Sequence, residues 1–273
     1  MKYQRYSYIV LLLLFISKGY AFDFITDRGN GMGQTVLLSK SSASTLLIVP
    51  SGGIADGAGK VELGINRKFE IKDLDQGYLA VVYRKKLFTY AIGFTQFGYT
   101  DLYAEKTARA GLTFHYDSFS LGATLATMLV EFGDKYERLS SSAIGLGASY
   151  RGKKLYGALV IDNINSPELN INSKKIKPNY SAYSEIIGKG SYSITGRLTL
   201  EADQKPQFGV GQIINLSPNG SFFWGLSTQP TIYGGGIELS YKNNIISYAT
   251  SYHQTLGFSH TIALNYSFGD SPK

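Results

Sequence analysis

Three histidines, His115, His253 and His260, are the side chains of this sequence best suited to proton transfer near neutral pH. Ser251 and Ser259 lie close to the last two, and a serine activated by a histidine is the nucleophile of many hydrolases. The aspartate pattern of a catalytic triad is missing. Ser259 and His260 are adjacent, and adjacent residues of a strand point to opposite faces. We therefore predict no catalytic residues, with a lipid-acting outer-membrane hydrolase as the alternative.

The sequence predicts neither a metal site nor a cofactor site. The histidines are widely scattered, and the lack of cysteine excludes disulfides and thiolate ligands. The run Gly29–Gly33 (GNGMG) has the glycine content of a phosphate-binding loop. It lacks the preceding strand, the following helix and the Lys-Ser/Thr pair that such a loop needs.

A second set of residues places charge on what we predict to be an interior surface. The set is Glu62, Glu105, Arg109, Arg197, Glu201 and Glu238. Charged groups that leave bulk water must be paired or stay in contact with water. We therefore predict an ion-pair network that fills the interior and holds a segment of the chain that plugs it. A role in substrate binding is the alternative.

Strands must position these residues, because runs of roughly ten residues alternate apolar and polar side chains along most of the chain. In the last run, Ile262 and Leu264 share one face, whereas Thr261 and Ala263 share the other. Side chains of a strand repeat every two residues, so each run has one apolar face and one small or polar face. The charged set lies on the polar faces.

The number and spacing of the strands predict an all-β, up-and-down antiparallel transmembrane β-barrel. Fourteen strands are counted near 59–68, 77–85, 87–96, 103–116, 118–129, 141–152, 154–163, 180–187, 190–201, 206–216, 220–227, 230–242, 244–252 and 258–268. Twelve is the alternative, with 180–187 and 220–227 as the weakest strands. Short connections alternate with longer ones, the short ones being Arg84–Leu87, Asp117–Ser118, Gly152–Lys154, Gly188–Gly190, Ser217–Gly220 and Lys242–Asn244. In such barrels the short turns and both termini lie at the periplasmic end.

Composition agrees with this fold class. Aromatic residues make up 14% of the chain and charged residues only 17%, below the roughly one quarter of an ordinary globular protein. The apolar faces often end in tyrosine or phenylalanine, as at Tyr83, Tyr116 and Tyr150, which suits the boundary between water and lipid. A soluble β-sandwich binding protein also shows alternation and is the competing interpretation.

The first 21 residues have the pattern of a secretory signal peptide. Lys2 and Arg5 precede the apolar run Tyr8–Ile16, and a small-x-small cleavage site ends at Ala21. We expect cleavage near Ala21, with an uncleaved anchor as the alternative. Cleavage removes three basic residues, so the net charge falls from +7 to +4 (7 − 3). So small a charge, spread over turns, gives little support for a nucleic-acid partner.

Residues 22–57 lack the strand rhythm and precede the predicted barrel, residues 58–273. A segment in this place can hang free in the periplasm or fold into the barrel lumen. Its short apolar run, Thr45–Val49, needs burial, so we expect a plug or hatch.

Several short motifs follow one another in a characteristic order. They are Gly31–Gly33 (GMG), Pro50–Gly53 (PSGG), Phe97-Gly98 with Tyr103 and Glu105, Gly145–Tyr150 (GLGASY), and Tyr252-His253 with Leu256–His260 before the final strand. In this order the chain resembles the FadL-related outer-membrane barrels, in particular the PorV/PorQ-like group. The resemblance covers essentially the whole chain after the signal peptide.

The resemblance implies a fourteen-stranded barrel with an N-terminal hatch. The matching hatch residues are Gly31, Gly33, Pro50, Gly52 and Gly53. The family's hatch usually carries Asn-Pro-Ala-Gly, and here Val49 stands in place of the asparagine. The last strand resembles the assembly signal of outer-membrane proteins, with Tyr266 and Phe268 as the spaced aromatic residues.

The expected function is that of an integral outer-membrane barrel without catalytic activity. Two roles stay open, a passive conduit for hydrophobic small molecules and an accessory barrel that docks an envelope or secreted protein. The partners would be outer-membrane lipids together with such a ligand or such a protein. The basic loop at Lys174, Lys175 and Lys177 either meets lipopolysaccharide phosphates or is solvated, and we expect the second.

Overall fold

The computed structural model of the chain describes residues 26–53, 57–99, 103–133, 138–169, 174–188 and 191–269. The predicted signal peptide, residues 1–21, lies outside the described residues. Two short helices, α1 (Asp27–Gly31) and α2 (Thr45–Ile48), precede the strands. Two 3₁₀ turns, Lys68–Glu70 and Lys72–Leu74, follow the first strand.

Fourteen antiparallel strands form one closed barrel. In chain order they are β1 (Ala58–Arg67), β2 (Asp75–Lys85), β3 (Phe88–Tyr99), β4 (Tyr103–Tyr116), β5 (Phe119–Phe132), β6 (Leu139–Arg151), β7 (Leu155–Asp162), β10 (Asn179–Ile187), β11 (Tyr192–Glu201), β12 (Gln207–Ser217), β13 (Gly220–Ser227), β14 (Ile232–Tyr241), β15 (Asn244–His253) and β16 (Gly257–Gly269). The two remaining strands, β8 (Glu168–Leu169) and β9 (Lys174–Lys175), pair with each other in the connection between β7 and β10.

The predicted fourteen-stranded barrel is confirmed, including the two strands with the weakest pattern, Asn179–Ile187 and Gly220–Ser227. The twelve-strand alternative is wrong, because fourteen strands pair in one sheet. The β-sandwich is also wrong, because β1 pairs with β16 and closes that sheet, with Glu62 opposite Asn265. Closure gives each barrel strand a hydrogen-bonded neighbour on both sides, so the sheet has no free edge.

The short turns lie together at one end of the barrel, here called the short-turn end. At three of them the chain has positive φ at a residue other than glycine, namely Lys86, Asp117 and Lys242. This conformation lets a two-residue turn match the right-handed twist of the flanking strands. Ala58 pairs with Gly269, so the barrel begins and finishes at the same end. The opposite end, with the longer connections, is called the long-connection end.

Inward and outward side chains alternate along the barrel strands as the pattern predicted. On β1, Glu62 and Asn66 are buried, whereas Leu63 and Ile65 are 49% and 65% exposed. The same division runs through the other strands, whose outward positions hold exposed leucine, isoleucine, phenylalanine and tyrosine. So large an exposed apolar surface is unfavourable in water and requires apolar surroundings.

Aromatic side chains mark both limits of this outward surface. At the short-turn end, the rings of Tyr83 and Phe268 stack with centroids 6.4 Å apart across the β1 seam. At the long-connection end, Tyr252 and Phe258 pair with centroids 4.9 Å apart. Separately, the described residues contain no helix that is both long and apolar enough to span a membrane.

Candidate functional site

The interior of the barrel is occupied by residues 26–53, here called the lumen segment. The segment packs against inward side chains in three apolar clusters. They are Ala43, Leu46 and Leu47 with Tyr78, Ala80 and Val82; Val36, Leu38 and Val49 with Ala158, Val160 and Tyr183; and Met32 and Leu37 with Ile213, Phe223 and Ala249. The apolar run predicted to need burial is therefore buried, as helix α2 and the residues around it.

Glycines on the inward face let the backbone of the lumen segment approach the wall. A Cβ on Gly122 would overlap the carbonyl of Pro50, and a Cβ on Gly225 would overlap the backbone of Met32. Glycine is the residue that permits backbone-to-wall contact at this distance, because every other side chain would occupy the same space.

Glu62 is the first of the predicted charged residues to bind the lumen segment. It is fully buried on β1. Its carboxylate accepts hydrogen bonds from the amide of Ser44 at 3.0 Å and from Ser44 Oγ at 2.6 and 2.7 Å. Tyr78 on β2 donates its hydroxyl to the same carboxylate at 3.0 Å. These hydrogen bonds satisfy the buried charge and hold the start of α2.

Arg109 on β4 and Arg197 on β11 bind the lumen segment from two other parts of the wall. Arg109 Nη1 donates to the carbonyl oxygen of Leu47 at 2.6 Å. Arg197 donates to the Gln34 side-chain oxygen at 2.8 Å and to Gln207 Oε1 at 2.9 Å. An irregular segment leaves backbone carbonyls without partners, and these guanidinium groups supply the missing donors.

Glu238 on β14 forms a buried ion pair with Arg28 in helix α1. Arg28 Nη1 also donates to the carbonyl oxygen of Lys40 at 3.2 Å, which ties the two halves of the lumen segment together. Arg28 was not among the predicted residues, because it precedes the strands whose alternation identified the others.

The last two predicted charges lie closer to the long-connection end. Glu105 accepts a hydrogen bond from the Tyr103 hydroxyl. Glu201 ends β11 opposite Asn179. The prediction of one ion-pair network among six residues therefore needs correction. Glu62, Arg109 and Arg197 bind neutral groups of the lumen segment, whose unpaired amides and carbonyls compete for charged partners.

Glu185 on β10 was missed by the sequence analysis and makes three hydrogen bonds to the lumen segment. Its carboxylate accepts from the amides of Leu38 and Ser39, both at 2.7 Å, and from Ser39 Oγ at 2.5 Å. The residue is fully buried. The signal was present in the sequence, since Glu185 shares the polar face of its strand, but that strand had one of the weakest patterns.

The hatch residues implied by the resemblance all lie in the lumen segment. Gly31 leaves room for the ring of Phe223, and Gly33 has a φ of +62°. The Gly52 amide donates to the carbonyl of Val49 at 2.8 Å. The carbonyl of Gly53 accepts from Arg151 Nη2 at 3.3 Å. Pro50 offers its carbonyl to Thr113 Oγ1.

The histidines occupy three separate places. His115 lies inward between Thr89 and Ser120, with both contacts at 2.8 Å. His253 accepts from the amides of Thr255 and Leu256 at 3.2 Å.

His260 is the third histidine and faces outward beside the Tyr248 hydroxyl at 2.8 Å. Ser259, its neighbour, points inward and accepts from the Phe69 amide at 3.0 Å. The serine and the histidine therefore lie on opposite faces, as the alternation predicted.

The basic loop is engaged in ion pairs at the long-connection end. Lys175 lies 3.2 Å from Glu168 across the β8–β9 pair, and Lys177 pairs with Asp203. These exposed pairs agree with a solvated loop. Across the described residues, no group of three or more histidine, aspartate or glutamate side chains is placed to hold a metal ion.

An apolar patch lines the inward face of β5 and β6 toward the long-connection end. Its members are Ala126, Met128, Val130, Leu139 and Ala143, all buried. Ile176 from the connection before β10 packs against it. On these two strands the lumen segment makes its contacts at Gly122, Gly147 and Ser149, nearer the short-turn end. The patch therefore lies above the lumen segment, on the long-connection side.

A scan against protein-family models found no match, and a search of the curated proteins found none either. Solved structures share the fold. The P. putida toluene transporter TodX aligns with a TM-score of 0.60 over 94% of this chain and 100% of its own, at 10% identity.

Two TodX mutants described as monoaromatic hydrocarbon channels align similarly. The deltaS2S3 mutant gives a TM-score of 0.63 over 93% of this chain, and the deltaS2 mutant gives 0.62 over 92%. Both are covered completely, at 9% identity. At such identity the likeness establishes the fold, which agrees with the barrel implied by the FadL-related resemblance. The narrower PorV/PorQ-like grouping stays a prediction.

Proposed function

We propose that this chain is an integral outer-membrane β-barrel that acts, without catalysis, as a passive conduit for small hydrophobic molecules. The lumen segment is the plug of that conduit. The single observation that carries the membrane assignment is the closed barrel with exposed apolar side chains on its outward face. A closed barrel can cross a bilayer because every strand finds its backbone partners within the sheet.

The conduit role is supported by the likeness to TodX, which is itself described as a toluene transporter. The apolar patch adds an argument from this chain's own residues. Most inward positions are small or polar, yet Met128, Val130 and Leu139 turn buried apolar side chains into the lumen. Such a surface suits the first binding of a hydrocarbon that enters from the long-connection end.

The plug role rests on the way the lumen segment is held. Charged side chains from β1, β4, β10, β11 and β14 bind it. Serine and threonine side chains of β15 and β16 bind Asn30 as well, with Ser251 Oγ donating at 2.7 Å and Thr261 Oγ1 accepting at 2.9 Å. As long as these contacts persist, the lumen segment blocks any water-filled path through the barrel.

Uptake by whole cells tests the conduit. Cells that display the full chain in an outer membrane should take up labelled toluene faster than cells without it. The variant Met128→Glu should lower the uptake, because a buried carboxylate makes the apolar patch unfavourable for a hydrocarbon. Met128→Leu keeps volume and polarity and should leave uptake unchanged.

A barrel that migrates as folded on an unboiled gel and yet gives no uptake above background would overturn the conduit role. Liposome swelling then examines the plug. Liposomes that contain the full chain should not swell in solutions of small sugars. Liposomes that contain the chain without residues 26–53 should swell. Equal swelling by both chains would contradict the plug.

A second role, docking of an envelope or secreted protein, is favoured by the filled lumen, because a scaffold needs no open path. The PorV/PorQ-like grouping is retained with it as a proposal. Normal folding without uptake, in chains with and without residues 26–53, would favour docking over conduction.

Export to the outer membrane and cleavage near Ala21 belong to the same proposal. The barrel fold and the pattern of residues 1–21 support them. N-terminal sequencing of the chain purified from outer membranes checks the cleavage site, and a start at Met1 would instead indicate an uncleaved anchor.

A further inference from the structure

Among the described residues, the two ends of the barrel differ sharply in charge. The described turns of the short-turn end carry seven basic residues, Arg84, Lys85, Lys86, Arg151, Lys153, Lys154 and Lys242. Among the residues described there, the acidic side chain is Asp117. We call these seven residues the basic rim. In the described part of the chain, no acidic side chain lies within ion-pair distance of Lys85, Lys153 or Lys154.

At the long-connection end, several basic residues form ion pairs within the described part of the chain. They are Arg67 with Asp75, Lys106 and Arg138 with Glu131, Lys175 with Glu168, and Lys177 with Asp203. Like charges that stay unpaired repel one another and disfavour the folded state. Lys85, Lys153 and Lys154 are therefore available to a counter-charge outside the chain.

Turn geometry does not account for the lysines. Lys86 and Lys242 have φ values of 54° and 53°, in the left-handed region that favours glycine and asparagine. A lysine at such a position has a small backbone cost that asparagine or glycine would avoid. Its presence in two separate turns points to a role for the side-chain charge.

Aromatic residues place the basic rim at the limit of the apolar surface. Tyr83 directly precedes Arg84, Tyr150 precedes Arg151 and Tyr241 precedes Lys242, and each of the three rings is exposed on the outward face. The ammonium group of Lys242 lies 5.3 Å from the centroid of the Tyr241 ring. Aromatic side chains favour the boundary between hydrocarbon and headgroups, so the adjacent cations reach the headgroup layer.

We propose that the basic rim binds the phosphodiester headgroups of anionic phospholipids in the leaflet at the short-turn end. The inference requires the membrane location of the proposed function, but not conduction. A lipid annulus is favoured over a protein partner by the distribution of charge. The three basic turns join β2 to β3, β6 to β7 and β14 to β15, and they lie four, six and four strands apart around the fourteen-stranded barrel. A single protein would meet one side of this ring, whereas lipid surrounds it.

Lipid selectivity of the reconstituted full chain tests the proposal. Spin-labelled phosphatidylglycerol and spin-labelled phosphatidylcholine are compared in phosphatidylcholine bilayers, and the fraction immobilised at the protein is measured for each. We expect phosphatidylglycerol to be preferred about two- to fivefold, with loss of the preference near 1 M salt, where the Debye length is about 3 Å. Bilayer vesicles expose both barrel ends to lipid, so the orientation of insertion does not matter.

Two matched variants assign the preference to one end. The rim variant replaces Lys85, Lys86, Lys153, Lys154 and Lys242 with glutamine. The control variant replaces five lysines of the opposite end, Lys68, Lys72, Lys175, Lys177 and Lys205, in the same way. The rim variant should lose the preference and the control should keep it. Gel mobility before and after boiling confirms that each barrel has folded.

Three results would overturn the proposal. The first is an inserted wild-type barrel without lipid preference. The second is an equal loss in both variants, which would show an effect of net charge alone. The third is the absence of a lipid effect together with rim-dependent binding of an acidic periplasmic protein. A chain that fails to enter bilayers would contradict the membrane assignment itself, whereas lipid preference without toluene uptake would contradict only the conduit.

Discussion

The carboxylate of Glu185 accepts a hydrogen bond of 2.7 Å from the amide of Leu38, which lies 147 residues earlier in the chain. The same oxygen accepts from the Ser39 amide. One buried side chain of the wall thus replaces the backbone partners that a helix or strand would have given to two consecutive amides. The lumen segment keeps an irregular path here because the wall, and not its own secondary structure, satisfies its polar groups.

Replacement of Glu185 by alanine should loosen the lumen segment locally. Each buried amide that loses its acceptor costs on the order of 1–3 kcal/mol. Hydrogen exchange at Leu38 and Ser39 should then accelerate by about tenfold to a hundredfold. Exchange along β10 should stay slow. Glu201→Ala, at the far end of β11, is the control, and unchanged exchange at Leu38 in Glu185→Ala would contradict the anchoring role.

The pair of Arg28 and Glu238 should behave as a buried ion pair. Glu238→Gln leaves the guanidinium without its counter-charge and should lower the free energy of unfolding by about 3 kcal/mol. The double variant Arg28→Met with Glu238→Met should recover most of that loss, because no charge stays buried. Urea unfolding in detergent micelles measures both. The single variants Arg28→Met and Glu238→Met complete the comparison. If their two losses of unfolding free energy simply add up to that of the double variant, the residues do not interact.

An inward glycine, Gly225, and an outward glycine, Gly157, should respond oppositely to the same substitution. Gly225→Ala forces a methyl group into the backbone of Met32 and should destabilise the lumen segment by about 1–3 kcal/mol. At Gly157 the added Cβ would meet only the carbonyl of Tyr183, at 3.9 Å. Gly157→Ala should therefore be neutral or slightly stabilising. Protease cleavage within residues 26–53, compared between the variants, tells whether the segment has been displaced.

Charge on the outward face should be penalised according to depth. Leu125 lies at the middle of β5 and is exposed, so Leu125→Arg should cost about 2–4 kcal/mol in a bilayer. Leu216 lies at the short-turn end of β12, and Leu216→Arg should cost only about 0–1 kcal/mol. Unfolding titrations of the barrel in lipid vesicles compare the two. Equal costs would argue that hydrocarbon does not surround this surface.

The predicted charged residues show what strand alternation in the sequence can and cannot predict. Alternation correctly placed Glu62 and Glu238 on inward faces, because side-chain direction in a strand depends only on the parity of position. It could not say which group each carboxylate would meet. Their partners, Ser44 and Arg28, belong to a segment without strand periodicity.

The fourteen strands, their inward and outward faces and the common end of the short turns followed from the sequence alone. All three are set by neighbouring residues, through the two-residue repeat of a strand and the chemistry of its turns. The course of residues 26–53 inside the lumen, the role of Glu185 and the grouping of basic residues from separate turns at one rim were decided by the tertiary structure. These features depend on contacts between residues far apart in the chain, and such contacts exist only once the sheet has closed.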